Sequence, residues 1–187
     1  MTKLKNVYWD TCVFIAHLAG DNAYLDYLSD IDQFLREASD SNVDVTIHCS
    51  TLTIAEITKS NLHAGLDYED FTQLWGGGIV PLSPDPNVMR IASELRSMVY
   101  KKTGGQRKLS TPDAIHLAST IFLQDTYKLK IDAFHTFDSG KSRDHNGKGV
   151  PMLGFENWCS ECADNPLAKK VIALNRCKPE HPNKMML

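Results

Sequence analysis

No stretch of this 187-residue chain approaches the ~18 consecutive apolar residues of a membrane span. The opening MTKLKNVYWD meets Asp10 before it can build the apolar core of an export signal. Glycine and proline, 11 and 8, recur with no period, which excludes a fibrous chain, and no repeat or low-complexity stretch is visible. Net charge is also small: 20 Lys and Arg against 23 Asp and Glu give −3, and 42% hydrophobic residues place the chain outside the disordered class. Cysteines number five, at 12, 49, 159, 162 and 177. An odd count without an export signal argues for thiols or metal ligands rather than a disulfide framework. The exclusions leave a soluble, cytoplasmic globular protein as the expectation. At this length one core buries roughly 70% of the unfolded chain's surface, so folding needs neither disulfide nor metal.

The small net charge hides a polarised distribution. Residues 21–44 carry seven acids and one base, Arg36, whereas Leu95 to Pro112 carry five bases (Arg96, Lys101, Lys102, Arg107, Lys108) and no acid. Tyr24, Tyr27, Leu28, Ile31, Phe34, Leu35 and Ala38 recur at helical spacing, so the acidic block is expected to be the solvated face of an amphipathic helix. The basic run suits RNA phosphates; Lys101 and Lys102 equally suit the last turn of a helix.

Periodicity predicts strands at 6–9, 43–48, 79–82 and 133–137, separated by helices. These follow Asp10, start near Ser50 to Thr53 and end by Gly65, cover Asp70 to Trp75, run from Asp85-Pro86 to Gly104-Gly105, and start at Thr111-Pro112. Alternating strands and helices favour a parallel sheet sandwiched by helices. Residues 139–151 read as a basic, glycine-rich loop, and Lys170 to Leu174 as a last strand. In the tail, Cys159-x2-Cys162 and Cys177-x3-His181 have the spacing of a Cys3His zinc site.

In a right-handed α/β fold, strand C-termini and helix N-termini share the edge where ligands bind. Asp10 and Asp138 each follow a strand; Glu56 and Asp113 each lie early in a helix, so all four face that edge. Each also fits a local role: Asp10 as an N-cap, Thr53 to Glu56 as a capping box, Asp113 as a first-turn charge, Asp138 as a turn residue. Four converging carboxylates repel one another unless a cation such as Mg²⁺ or Mn²⁺ holds them ionised, and such a site suits phosphodiester hydrolysis.

The segments Val7 to Ile15, Thr53 to Ile57, Ser110 to Ala118 and His135 to Asp138 together resemble the four-part signature of the PIN-domain nucleases. The likeness spans roughly residues 5–140 and is greatest to the virulence-associated protein C type toxins of bacterial toxin–antitoxin pairs. It implies a PIN-like three-layer α/β sandwich, with a nuclease domain over 1–150 and an extension over 151–187 that completes it. It also implies a Mg²⁺- or Mn²⁺-dependent endoribonuclease whose acids Asp10, Glu56, Asp113 and Asp138 serve as metal ligands and catalytic groups. Thr136 would help a water or a phosphate, and Lys101, Lys102, Arg107, Lys108, Lys141 and Arg143 would meet the RNA. An antitoxin protein and a second copy of the chain are the implied partners. Two positions depart from the pattern: Cys12 stands where the family often has Asn, and the next acid beyond Asp138 is Asp144. A PIN-like module that binds RNA or a partner without catalysis is the alternative.

Overall fold

The computed structural model describes residues 5–20, 22–62, 78–140 and 149–182. The expected helix from Asp70 to Trp75, and Lys141, Arg143 and Asp144, lie outside the described residues.

Five short strands form one parallel sheet: β1 (Asn6–Trp9), β2 (Thr46–Ser50), β3 (Ile79–Leu82), β6 (Ala133–His135) and β7 (Arg176–Cys177), in the order β3-β2-β1-β6-β7. An antiparallel hairpin, β4 (Tyr100–Lys102) and β5 (Gly105–Arg107), stands apart from it. The α-helices are α1 (Thr11–Ala19), α2 (Leu25–Ser39), α3 (Leu52–Glu56), α4 (Pro86–Ser97), α5 (Thr111–Thr126) and α6 (Pro166–Ala173).

The pleat sends alternate side chains to opposite faces of the sheet, and here each face has its own core. Val7 and Trp9 of β1 join Val13 and Phe14 of α1 and Ile31 and Phe34 of α2. Tyr8 and Phe134 turn the other way, into a core built from α4, α5 and α6 with Phe155 and Trp158 of the tail. Such a sheet, covered on both faces, reads as a nearly continuous apolar run rather than an alternating one. The result is the three-layer α/β sandwich the sequence led us to expect.

Five expectations are corrected. Helix α4 stops at Ser97 instead of running to Gly104, because the Tyr100 hydroxyl donates back to the Leu95 carbonyl at 2.7 Å and the chain turns into the hairpin. Lys101 and Lys102 are therefore strand residues and complement no helix end. Helix α3 has five residues, and its N-cap position, Thr51, makes no side-chain cap. Glu56 ends that helix instead of closing a capping box. Lys170 to Leu174 is the end of α6 rather than a strand, since Asn165 caps the helix with Pro166 at its start; the last strand is Arg176–Cys177. Finally, Asp30 in the acidic helix is buried and Asp32 and Glu37 are half-buried, while Asp26 and Asp40 are exposed, so that face is not uniformly solvated.

Gly78 leads into β3 with φ +86°, and a Cβ there would stand 1.8 Å from the Ala38 carbonyl oxygen at the end of α2. Positive φ and backbone contact both require glycine. Gly78→Ala should lower stability by about 3 kcal/mol in urea unfolding; a change below about 0.5 kcal/mol would show that this approach does not constrain the fold.

Candidate active site

Strand order reverses at β1: β2 and β3 extend the sheet one way, β6 and β7 the other. In open α/β sheets the crevice at the carboxyl end of such a reversal is where ligands bind. Asp10 leaves β1 and Thr136 leaves β6 at this point, and their side chains meet, the Thr136 hydroxyl donating to Asp10 Oδ2 at 2.7 Å.

Asp10 occupies the N-cap position of α1 but makes no side-chain cap. Its carboxylate points into the site, where the Cys12 thiol also donates to Oδ2 at 3.2 Å. Burial and the Asp10 charge push the Cys12 thiol well up. Cys12 is thus a neutral donor, and its sulfur in turn accepts from the Phe137 amide at 3.1 Å. Thr136 is fully buried. It spends its one proton on Asp10 and accepts from the Asp138 amide at 3.0 Å. It therefore orients the carboxylate and the following turn, and has no proton left for a water or a phosphate.

Asp113 lies in the first turn of α5, whose N-cap is Ser110, one residue earlier than Thr111-Pro112 suggested. The Ser110 hydroxyl donates to Asp113 Oδ2 at 2.5 Å and accepts from the Asp113 amide at 3.1 Å. Burial pushes the Asp113 carboxyl up to about 7; the Ser110 hydrogen bond opposes the rise, and the charges of Asp10 and Asp138 add to it. Asp138 is the turn residue its neighbours suggested, accepting from the Gly140 amide at 2.9 Å and the Met152 amide at 3.0 Å.

Glu56 arrives from α3 on the other side. Its Oε2 accepts from the Thr11 hydroxyl at 2.6 Å and lies 3.1 Å from His116 Nε2. That nitrogen is also 3.7 Å from Asp10 Oδ1. His116 is fully buried, with the Tyr8 hydroxyl 3.0 Å from its other ring nitrogen. Burial disfavours its charged form, yet the hydrogen bond to Glu56 and the charges of Asp10, Glu56 and Asp113 win, and its pKa rises. For Glu56, burial is outweighed by the hydrogen bonds from His116 and Thr11, and its pKa falls. Both shifts favour the ion-paired form of the Glu56–His116 contact. One turn after Asp113 in sequence, His116 could have been a phosphate contact or a packed helix residue; its burial against Glu56 and Tyr8 makes it the latter. Its contribution and that of Thr11 depend on side chains that meet only through tertiary structure, whereas the Ser110 contact is local and the Ser110-x-x-Asp113 spacing could have signalled it.

The basic residues divide. Lys101 pairs with Glu161 at 3.6 Å. Arg107 donates to the Gly149 carbonyl at 2.9 Å and covers the Trp158 ring, as does Lys102. Lys108 is exposed. The zinc spacing is not realised, because Cys159 and Cys162 are buried in the α4–α6 core whereas Cys177 packs on the α1–α2 core. His181 reaches Phe34 and Glu37 on that second side.

Among the described residues no group of three or more His, Cys, Asp or Glu is placed to hold a metal ion. The donor chemistry nevertheless suits Mg²⁺ or Mn²⁺. Such an ion keeps several waters and is held by one or two carboxylates; it would relieve the charges of Asp10 and Asp138, which add to the rise that burial gives the Asp113 pKa. No protein-family model matches the chain, and no curated protein matches it in sequence.

The sign of the Asp113 shift gives a prediction. The folded protein holds this proton up to about pH 7, the unfolded chain only to its ordinary 3.8. Metal-free stability therefore falls as pH rises from about 4 to about 7, and the penalty is complete above that window. Asp113→Asn removes it, and in EDTA should stabilise the fold at pH 8 by up to about 4 kcal/mol while leaving stability near pH 3.5 unchanged. A variant no more stable than wild type at pH 8 would contradict the crowded-carboxylate description.

Proposed function

We propose that this chain is a Mg²⁺- or Mn²⁺-dependent endoribonuclease of the PIN-like kind, the toxin of a type II toxin–antitoxin pair. The observation that carries the proposal is the convergence of Asp10, Asp113 and Asp138 on the carboxyl edge of the sheet. Burial, with a smaller contribution from the charges of Asp10 and Asp138, lifts the Asp113 carboxyl to about 7. The toxin assignment, with its antitoxin and homodimer partners, rests on the four-part motif resemblance.

Asp10 and Asp113, with Asp138 directly or through water, would hold the cation; bound there, it would polarise the scissile phosphate and acidify a water. The chain's own groups do the rest. Thr136 and Cys12 fix the rotamer of Asp10. Thr11 and His116 occupy one oxygen of Glu56 and keep it ionised. The other oxygen is left to accept the proton of the attacking water, the geometric requirement for a general base. His116, buried against Glu56 and Asp10, offsets part of the negative charge and so positions Glu56 without reaching solvent.

The alternative, a PIN-like module that binds RNA or a partner without catalysis, draws on Asp138, both of whose oxygens already serve backbone amides. Cleavage of a mixed single-stranded RNA substrate with and without Mg²⁺ or Mn²⁺ separates the two. The nuclease should cut only with metal, and Asp10→Asn or Asp113→Asn should each slow cutting at least about 100-fold. Undiminished cutting by the variants sinks the proposal, and RNA binding by wild type without any cutting supports the binding module.

A further inference from the structure

Beside the acidic edge lies a cavity of about 480 Å³ whose lining includes Lys102, Thr103, Ser139, Pro151, Asn157 and Trp158. Ser139 follows Asp138 directly. The Asp138 carboxylate accepts from the Met152 amide, and its carbonyl from the Leu153 amide at 2.9 Å. The backbone that fixes Asp138 is thus also a wall of this cavity.

The hairpin sorts the basic run by parity. Tyr100 pairs with Arg107 and Lys102 with Gly105, so Tyr100, Lys102 and Arg107 share one face and Lys101 and Gln106 the other. Lys101 is used up on the far side, paired with Glu161, its carbonyl accepting from Ser160. On the near side, Lys102 Nζ and Arg107 Cζ stand 4.4 and 4.2 Å from the centre of one ring, that of Trp158. Two cations less than about 9 Å apart repel within a screening length of ~10 Å. Among the described residues no carboxylate pairs with either, and none lines the cavity. Trp158 is only 4% exposed, beneath both cations. It offers no free face for a base. The remaining lining supplies the Thr103 and Ser139 hydroxyls and the Asn157 amide as donors.

We infer that this cavity is a phosphate subsite. It holds a phosphodiester of single-stranded RNA next to the bond presented to the acids, with Lys102 as the contacting charge and Arg107 as its fixed support. The inference rests on the ribonuclease proposal. It also excludes Lys101, which sequence alone could not tell from Lys102.

Two titrations on the full chain test it. In the first, inorganic phosphate is added to ¹⁵N-labelled wild type, Lys102→Ala and Lys101→Ala proteins while the Trp158 indole signal is followed. Saturable millimolar shifts should appear in wild type and Lys101→Ala and vanish in Lys102→Ala. In the second, a single-stranded RNA dodecamer is bound with Mg²⁺ to the Asp10→Asn chain, with or without the same lysine changes. Lys102→Ala should weaken binding about five-fold and reduce the magnitude of the slope of log K against log salt by about 0.7, one phosphate contact. Lys101→Ala should do neither. Equal effects of the two lysine variants, or none, overturn the subsite, as does absence of phosphate shifts in wild type. Phosphate binding without RNA binding overturns the ribonuclease proposal and leaves the anion cavity standing.

Discussion

The parallel pairing of β1 with β6 is the constraint on which the rest of the molecule depends. Only three residue pairs carry it, Val7 with Ala133, Tyr8 with Phe134 and Trp9 with His135. It is reinforced from both faces: Tyr8 stacks on Phe134 with ring centres 5.1 Å apart, and the Trp9 indole donates to His135 at 3.1 Å. A slip of one residue would turn every side chain to the opposite core. With the register fixed, the Asp10 amide donates to the His135 carbonyl at 3.1 Å. The two strands then release Asp10 and Thr136 side by side.

From that pairing follows an imbalance of charge. Neutral groups hold each aspartate in place: Thr136 and Cys12 for Asp10, Ser110 for Asp113, backbone amides for Asp138. Hydroxyl, thiol and amide donors orient a carboxylate without cancelling its charge. His116, whose protonated form the surrounding carboxylates favour, lies closer to Glu56 than to Asp10. A site built in this way has strong order and surplus negative potential, which suits a divalent ion that keeps its waters. The hairpin cations Lys102 and Arg107 are held over the Trp158 ring.

The layered fold was legible because it depends on periodicity and on cap signals such as Asp85-Pro86, which open α4 as the sequence implied. The edge position of the acids was legible for the same reason: strand ends and helix starts in an α/β fold share an edge. Several features were hidden. The hairpin was masked by an apolar helical stripe that runs on through Met98 and Val99, where only the Tyr100 hydroxyl's return to Leu95 ends the helix. The apolar run in α6 is short enough to suit a strand or a helix, and Asn165-Pro166 was the deciding signal. The zinc spacing failed because spacing says nothing of sheet faces, and the sheet divides the four residues between its two cores. The Glu56–His116 pair joins residues 60 apart in sequence, and no local pattern announces such a contact.

The central claim is that three aspartates at the sheet reversal form a cation site. Diffraction from crystals grown with millimolar Mn²⁺, recorded near the manganese absorption edge, tests it most directly. The account predicts an anomalous peak within ligating distance of Asp10 and Asp113 that disappears in Asp113→Asn. Clean density between these carboxylates in wild type, with no anomalous signal, would contradict it.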